Sequence, residues 1–347
     1  MNRENAPLKI GIVGLGMGRN QITPFQNIPN TEIAALCDTS QERLDRVMQE
    51  FSIRNTYQDM DQMLDSESLD AVAIATPNYT HHPLTLKAFD AGLHVLCEKP
   101  LALNAAQAQE MVDAAEKADR KLAIHYNHRM SPSAQLVKRY ISNRELGDIY
   151  YIRSIWHRHR GIPKGASGWF YKKETSGGGC FIDLGVHMID MALTFAGFPR
   201  VRSVTGQLHN QFGEVDVPGQ DMDVDDFGTA YIRCEGGLSI SIEISWASHA
   251  REPGMCTEVY GTDGGAVRDK DGVEIMRREQ GQIAKTRFPH GFNKSGMPSV
   301  QEDFVRAIRD DDEPHCSGRQ GLLLMQILDA VTESSNTGHE INLEHQT

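Results

Sequence analysis

Leu8-Lys9-Ile10-Gly11-Ile12-Val13-Gly14-Leu15-Gly16-Met17-Gly18 is the stretch on which the fold turns. A short, almost wholly apolar run enters alternating glycines, which predicts a buried strand, a tight turn and a helix. Glycines at 14, 16 and 18, with Met17 between them, let backbone N–H groups and the helix N-terminus approach a pyrophosphate. Position 19, where the third glycine of G-x-G-x-x-G would stand, is Arg19, so the close helix–sheet contact falls to Gly18. A second strand at 31–36 leads to Asp38, 20 residues after Gly18, where a carboxylate can accept hydrogen bonds from a ribose 2′-hydroxyl. A 2′-phosphate would meet like charge there, and Thr39-Ser40-Gln41 supplies no arginine to offset it, so the expected cofactor is NAD rather than NADP. The plainer alternative is a strand-to-helix turn with a helix-capping aspartate.

Outward from this motif the same alternation continues. Leu44, Val47, Met48 and Phe51 recur at i, i+3, i+4 and i+7, which predicts a crossover helix. Strand patterns follow at 70–75, 94–97 and 121–125, and Ala108, Met111, Val112 and Ala115 form another helical stripe capped by Asn104. Strands alternating with helices over the first 125 residues predict a parallel sheet. Ser131-Pro132 reads as a cap followed by proline at the first helical position, so the domain boundary is expected just before it, dividing 1–126 from 127–347. Beyond Gly147 long alternating segments predict an α+β domain with antiparallel pairing. Leu238, Ile240, Ile242, Ile244 and Trp246 point to one face, while Ser239, Ser241, Glu243, Ser245 and Ala247 form a small, lightly charged face suited to water or a second subunit. Helical patterns at 300–309 and 318–333 close the chain.

Three hundred and forty-seven residues exceed one ordinary core, which again predicts two domains. A formal charge of −12 disfavours nucleic acid and anionic membranes as partners. The sequence shows no apolar run of about 20 residues and no apolar stretch in its first seven, so the expectation is a soluble protein that stays in the cytoplasm. Six dispersed cysteines without a C-x-x-C pair fit a reducing compartment and argue against both disulfides and a zinc knuckle. The acidic clusters at 221–226 and 310–313 lack calcium-loop spacing and read as solvated loops.

Two further segments carry chemistry. Cys97-Glu98-Lys99-Pro100 places a lysine at a carboxyl strand end, where open parallel sheets bind ligands. Desolvation and a neighbouring nicotinamide cation would both favour its neutral amine, which can exchange a proton with a substrate hydroxyl. A surface lysine paired with Glu98 is the plainer alternative. Gly177-Gly178-Gly179 then precedes a helical pattern in which Asp183 and His187 share one face, so the carboxylate can orient the imidazole, with Asp190 as a second partner. The plainer alternative leaves Asp183 at a helix N-terminus and His187 as an ordinary half-buried histidine.

Taken together, these residues resemble the glucose-fructose oxidoreductase, inositol dehydrogenase and rhizopine-catabolism group, the Gfo/Idh/MocA family. The resemblance spans nearly the whole chain and rests on the glycine loop, Asp38, Ala75-Thr76-Pro77-Asn78 with His81, Glu98-Lys99-Pro100 and the Asp183/His187 helix. It implies an N-terminal Rossmann domain, an open, mostly antiparallel sheet that forms homodimers or homotetramers, and a cis Lys99–Pro100 bond. It also implies oxidation of a secondary hydroxyl of a sugar, glycoside or cyclic polyol by NAD, or the reverse reaction. Lys99 would hold and polarise the hydroxyl, His187 take its proton and Asp183 orient the site, while Thr76, Pro77, Asn78, His81, Glu98 and Asn127 would line the cofactor. His157 and Arg158 would face the sugar, and Trp169 could wall the ring or simply pack in the core. The alternating order of Trp156-His157-Arg158-His159-Arg160 makes a metal cluster there improbable. Within the superfamily an NAD-assisted glycosidase is an alternative, and outside enzymology a non-catalytic cofactor-binding sensor.

Overall fold

The computed structural model describes residues 6–163, 168–291 and 298–343. The chain forms two compact units, Met1–Tyr126 with Pro298–Leu322, and Asn127–Met297 with Leu323–Thr347.

In the first unit β1 (Leu8–Val13), β2 (Thr31–Cys37), β3 (Thr56–Tyr57), β4 (Ala71–Ile74), β5 (His94–Cys97) and β6 (Leu122–Ile124) form a sheet in the order β3-β2-β1-β4-β5-β6. Every pairing is parallel, and the strand order reverses at β1 and β4, the kind of switch point where such sheets hold ligands. The connecting helices are α1 (Arg19–Gln26), α2 (Gln41–Phe51), α3 (Met60–Ser66), α4 (Asn78–Asp90) and α5 (Ala105–Ala118). Ser40 and Asn104 cap α2 and α5 by accepting the backbone N–H groups of Arg43 and Gln107. The very short β3 and the helices α3 and α4 lie outside the sequence reading.

After the second unit the chain returns to complete the first. Helix α10 (Val300–Arg309) starts at a capping box formed by Ser299 and Glu302, and Ile124 donates its backbone N–H to Cys316 at 2.8 Å. Hydrophobic periodicity predicts this helix but says only which face is buried, not against what, so its assignment to the first unit comes from the structure.

The second unit holds α6 (Pro132–Ser142), α7 (Lys173–Ser176), α8 (Val186–Ala196), α9 (Gly213–Asp216) and most of α11 (Gly318–Thr337). Its sheet contains β7 (Ile149–His157), β8 (Val201–His209), β9 (Phe227–Cys234), β10 (Ser239–Ser245), β11 (Gly254–Gly261), β12 (Gly264–Asp269), β13 (Gly272–Glu279), β14 (Gln282–Pro289) and β15 (Ile341–Asn342). The order is β14-β13-β12-β11-β7-β10-β9-β8-β15, antiparallel except for β7 with β10. Ile152, Ile240, Ile242 and Ile244 are fully buried on one face, over which α8 packs. The other face carries Tyr151, Arg153, Glu243, Glu258 and Tyr260.

One sequence expectation needs correction here, and one apolar segment needs a structural account. The segment Lys173–Ala196 is long and apolar enough to cross a membrane by length and composition, but 89% of that window is buried within the protein. Asp183, His187 and Asp190 interrupt it, which hides it from a search for an unbroken apolar run. The acidic cluster at 221–226 is not uniformly solvated either, because Asp225 and Asp226 are buried and accept backbone N–H groups.

Candidate active site

The glycine loop is built by close packing. Gly14 adopts φ +87°, where a side chain is strained, and a Cβ there would stand 2.6 Å from the Ala75 carbonyl oxygen. A Cβ on Gly18 would stand 2.2 Å from the Gly14 oxygen and 2.9 Å from Ile12, so Gly18 makes the close helix–sheet contact. Gly16 and Met17 form the exposed tip, and nothing lies nearer than 3.9 Å to a Cβ placed on Gly16. Arg19 turns away to Glu50, with Nε donating at 2.8 Å, and stands over the Phe51 ring.

Asp38 is buried at the end of β2. Its carboxylate accepts the backbone N–H groups of Leu15 at 2.7 Å and Ser40 at 2.8 Å, which couples the acid to the glycine loop. The first turn of α2 also brings Arg43 back to Asp38, with Nε 3.3 Å from Oδ1. This cation is missed when only 39–41 are read, and it partly offsets the charge of Asp38. An open glycine tip, a helix N-terminus and a carboxylate within one hydrogen bond of the loop fit a dinucleotide.

Lys99 follows β5, half-buried, and its bond to Pro100 is cis, as the resemblance implies. The residues around it form a buried network. Glu98 accepts hydrogen bonds from Gln21 at 2.7 Å and from His125 at 2.9 Å. Burial alone would raise the Glu98 carboxyl; His125, then Gln21 and the Lys99 charge, outweigh that and leave it below the usual carboxylate range. The ring nitrogens of buried His81 lie 2.8 Å from the Pro100 oxygen and 2.9 Å from the Thr76 oxygen. Glu98 and His81, expected to line the cofactor, also tie strand-end loops together. Thr76 and Pro77 remain half-buried at the end of β4, with Asn78 buried behind them.

In the second unit the triple glycine wraps a carboxylate. Asp225 accepts the backbone N–H groups of Gly179 and Phe181, each at 2.8 Å, and burial raises its carboxyl while those bonds lower it. A wide π-turn, Phe181–Gly185, then carries Asp183 into α8, an irregularity frequent at functional sites. Asp183 accepts a hydrogen bond from the Trp246 indole at 2.9 Å. His187 is buried with its ring 4.7 Å from that of His128 and 6.1 Å from that of Trp156. Asp190, expected as a second partner for His187, pairs with Arg129, and both side chains are buried.

Strand parity separates two expected sugar-facing residues. Arg158 stands 5.2 Å from the Trp156 ring and so belongs with the His187 cluster. His157 points to the opposite face, stacked on Phe227 and 3.8 Å from Glu243. Asn127 is exposed just after β6, and Trp169 stacks on Phe170 with centroids 3.8 Å apart. Sequence reading missed His128, Trp156, Trp246 and Asp225. The only available signal was that Trp246 closes an alternating strand and Asp225 belongs to an acidic cluster, both of which read as structural.

The family described as oxidoreductases with an NAD-binding Rossmann fold matches residues 8–126, and the GFO/IDH/MocA C-terminal domain matches residues 134–267. A D-glucoside 3-dehydrogenase of Escherichia coli (strain K12) is 30% identical over 98% of both chains. The chain belongs to the Gfo/Idh/MocA oxidoreductase family. Other similar proteins include a D-apiose dehydrogenase of Paraburkholderia graminis, 29% identical over 97% of this chain and 90% of its own. A solved levoglucosan dehydrogenase in complex with NADH and L-sorbose shares the fold, with TM-score 0.87 and 23% identity over 97% of this chain and 99% of that one. As a Gfo/Idh/MocA member the chain uses NAD, for which the open loop of Gly16 and Met17 and the carboxylate of Asp38 are suited.

Proposed function

We propose that this Gfo/Idh/MocA chain is an NAD(H)-dependent dehydrogenase that oxidises a secondary hydroxyl of a sugar, glycoside or cyclic polyol to a ketone, or runs the reverse reaction. The observation that carries this reading is end-to-end similarity to a D-glucoside 3-dehydrogenase in a chain that has the glycine loop, Asp38, Lys99, Asp183 and His187. NAD, held at the glycine loop and Asp38, would supply the hydride acceptor for the hydroxyl-bearing carbon. Lys99 holds and polarises the hydroxyl oxygen, His187 takes its proton, and Asp183 orients the site. Gly14, Gly16, Met17 and Gly18 would receive the pyrophosphate and Asp38 the ribose, while Thr76, Pro77, Asn78, His81, Glu98 and Asn127 would line the cofactor. Arg158 and Trp169 contact the sugar, a role that the parity of β7 disfavours for His157.

The protein works in the cytoplasm as a homodimer or homotetramer. The Tyr151–Tyr260 ring pair and the Arg153–Glu243 ion pair offer another subunit a mixed polar and aromatic surface.

The test mixes purified protein with NAD and a panel of hexoses, glycosides and inositols while following nicotinamide absorbance. NADH equal to ketone formed is the expected result. Free sugar released from glycosides without net NADH would replace this reading with redox-assisted glycoside cleavage, and nucleotide binding without turnover on any substrate would leave a sensor.

A further inference from the structure

We infer that Trp246 is a positioning residue for the reaction, its indole N–H holding the Asp183 carboxylate in one orientation and in its ionised form. The inference rests on the dehydrogenase reading above.

Trp246 follows β10 and is fully buried. A buried indole needs an acceptor for its N–H, and a backbone carbonyl would suffice. Here the acceptor is the Asp183 carboxylate, 2.9 Å away, so the bond is charge-assisted. Both ends of it are anchored by one dipeptide. Asp225 holds the turn that carries the acceptor, through Gly179 and Phe181, and its backbone oxygen accepts the Cys180 N–H at 2.8 Å. The next residue, Asp226, holds the donor, because its backbone oxygen accepts the Trp246 N–H at 2.9 Å. Gly179 admits no side chain, since a Cβ there would stand 1.8 Å from the Asp225 oxygen, so the turn lies directly against Asp225. Residues 225 and 226 thus set the distance between indole and carboxylate, and the π-turn at Phe181–Gly185 directs Asp183 toward the indole. A donor to the charged form favours that form. Trp246 therefore keeps Asp183 available as an anion without itself touching substrate.

The test is a double-mutant cycle of Trp246→Phe and Asp183→Asn, read together with a carbon-13 carboxyl titration of Asp183 assigned by its loss in Asp183→Asn. Trp246→Phe should lower kcat about tenfold, as loss of a charge-assisted bond implies, with little change in KM for NAD. It should move the acid limb of the kcat/KM profile to higher pH and raise the Asp183 titration midpoint. In the Asp183→Asn background it should have no further effect on kcat. An equal loss in both backgrounds, or an unmoved Asp183 titration, would overturn the inference. Should Trp246→Phe fail to fold, Asp225→Asn takes its place in the cycle with the same expectations, because it loosens the acceptor's turn. Should no substrate be turned over, the dehydrogenase reading fails, and the titration alone still decides whether Trp246 governs the Asp183 charge.

Discussion

At the scale of single residues, Asp38 and Arg43 carry the proposed cofactor preference. Asp38 is buried and its carboxylate is bonded to the loop backbone, so Asp38→Ala should weaken NAD binding and loosen Leu15 as well. Arg43 is substantially exposed, and its influence is correspondingly modest. Arg43→Ala should lower affinity for NADP roughly two- to fivefold more than for NAD, measured as Kd by calorimetry on the nucleotide-free protein. Equal losses would remove Arg43 from discrimination. For the chemistry, His187→Ala should reduce kcat by about 10²–10⁴ while leaving Kd for NAD nearly unchanged. Parent-like turnover in this variant would take His187 out of the mechanism.

At the scale of elements, the approach to α8 depends on two buried carboxylates used in different ways. Asp225 caps a glycine turn that admits no side chain at 179, so Gly179→Ala should cost about 1–3 kcal/mol in a urea melt and lower activity together with stability. Asp190 neutralises Arg129, with both side chains at most 4% exposed. Arg129→Met leaves that acid unpaired and should destabilise the protein by about 3–5 kcal/mol. A loss under 1 kcal/mol would show that water reaches Asp190. These elements were only partly legible beforehand. The helical pattern after the triple glycine predicts a helix, and the spacing of Asp183 and His187 predicts shared duty. Neither the π-turn nor the partners Trp246 and Arg129 are visible, because each depends on residues more than 40 positions away meeting at hydrogen-bond distance.

For the whole molecule, acid sensitivity follows from His94. Burial, then Arg120 and Lys121, pushes its imidazole down to about 4, and its Nδ1 accepts the Lys121 backbone N–H at 3.0 Å. In the unfolded chain the same group titrates near ~6.5. Between these values the unfolded state binds a proton that the folded state refuses, so stability falls as pH drops from about 6.5 toward 4. With partial exposure discounting the shift, the loss should be about 1–2 kcal/mol. His94→Gln should flatten that slope in denaturation curves recorded across the range; an unchanged slope would assign the acid sensitivity to other groups.

The sequence by itself determined the alternation of strands and helices, the glycine loop with its acid, and the positions of Lys99 and the Asp183/His187 pair. Those features are local, since side-chain period, turn geometry and caps act over a few residues. Only the tertiary structure decided that Arg43 offsets Asp38, that Glu98 and His81 brace the Lys99 loop from within, and that His157 and Arg158 part to opposite faces. It also decided that residues 298–322 complete the first unit and that Asp225 and Asp226 are buried. Each of these outcomes is a pairing across a long stretch of chain, and a linear pattern records which faces must be covered without recording what covers them.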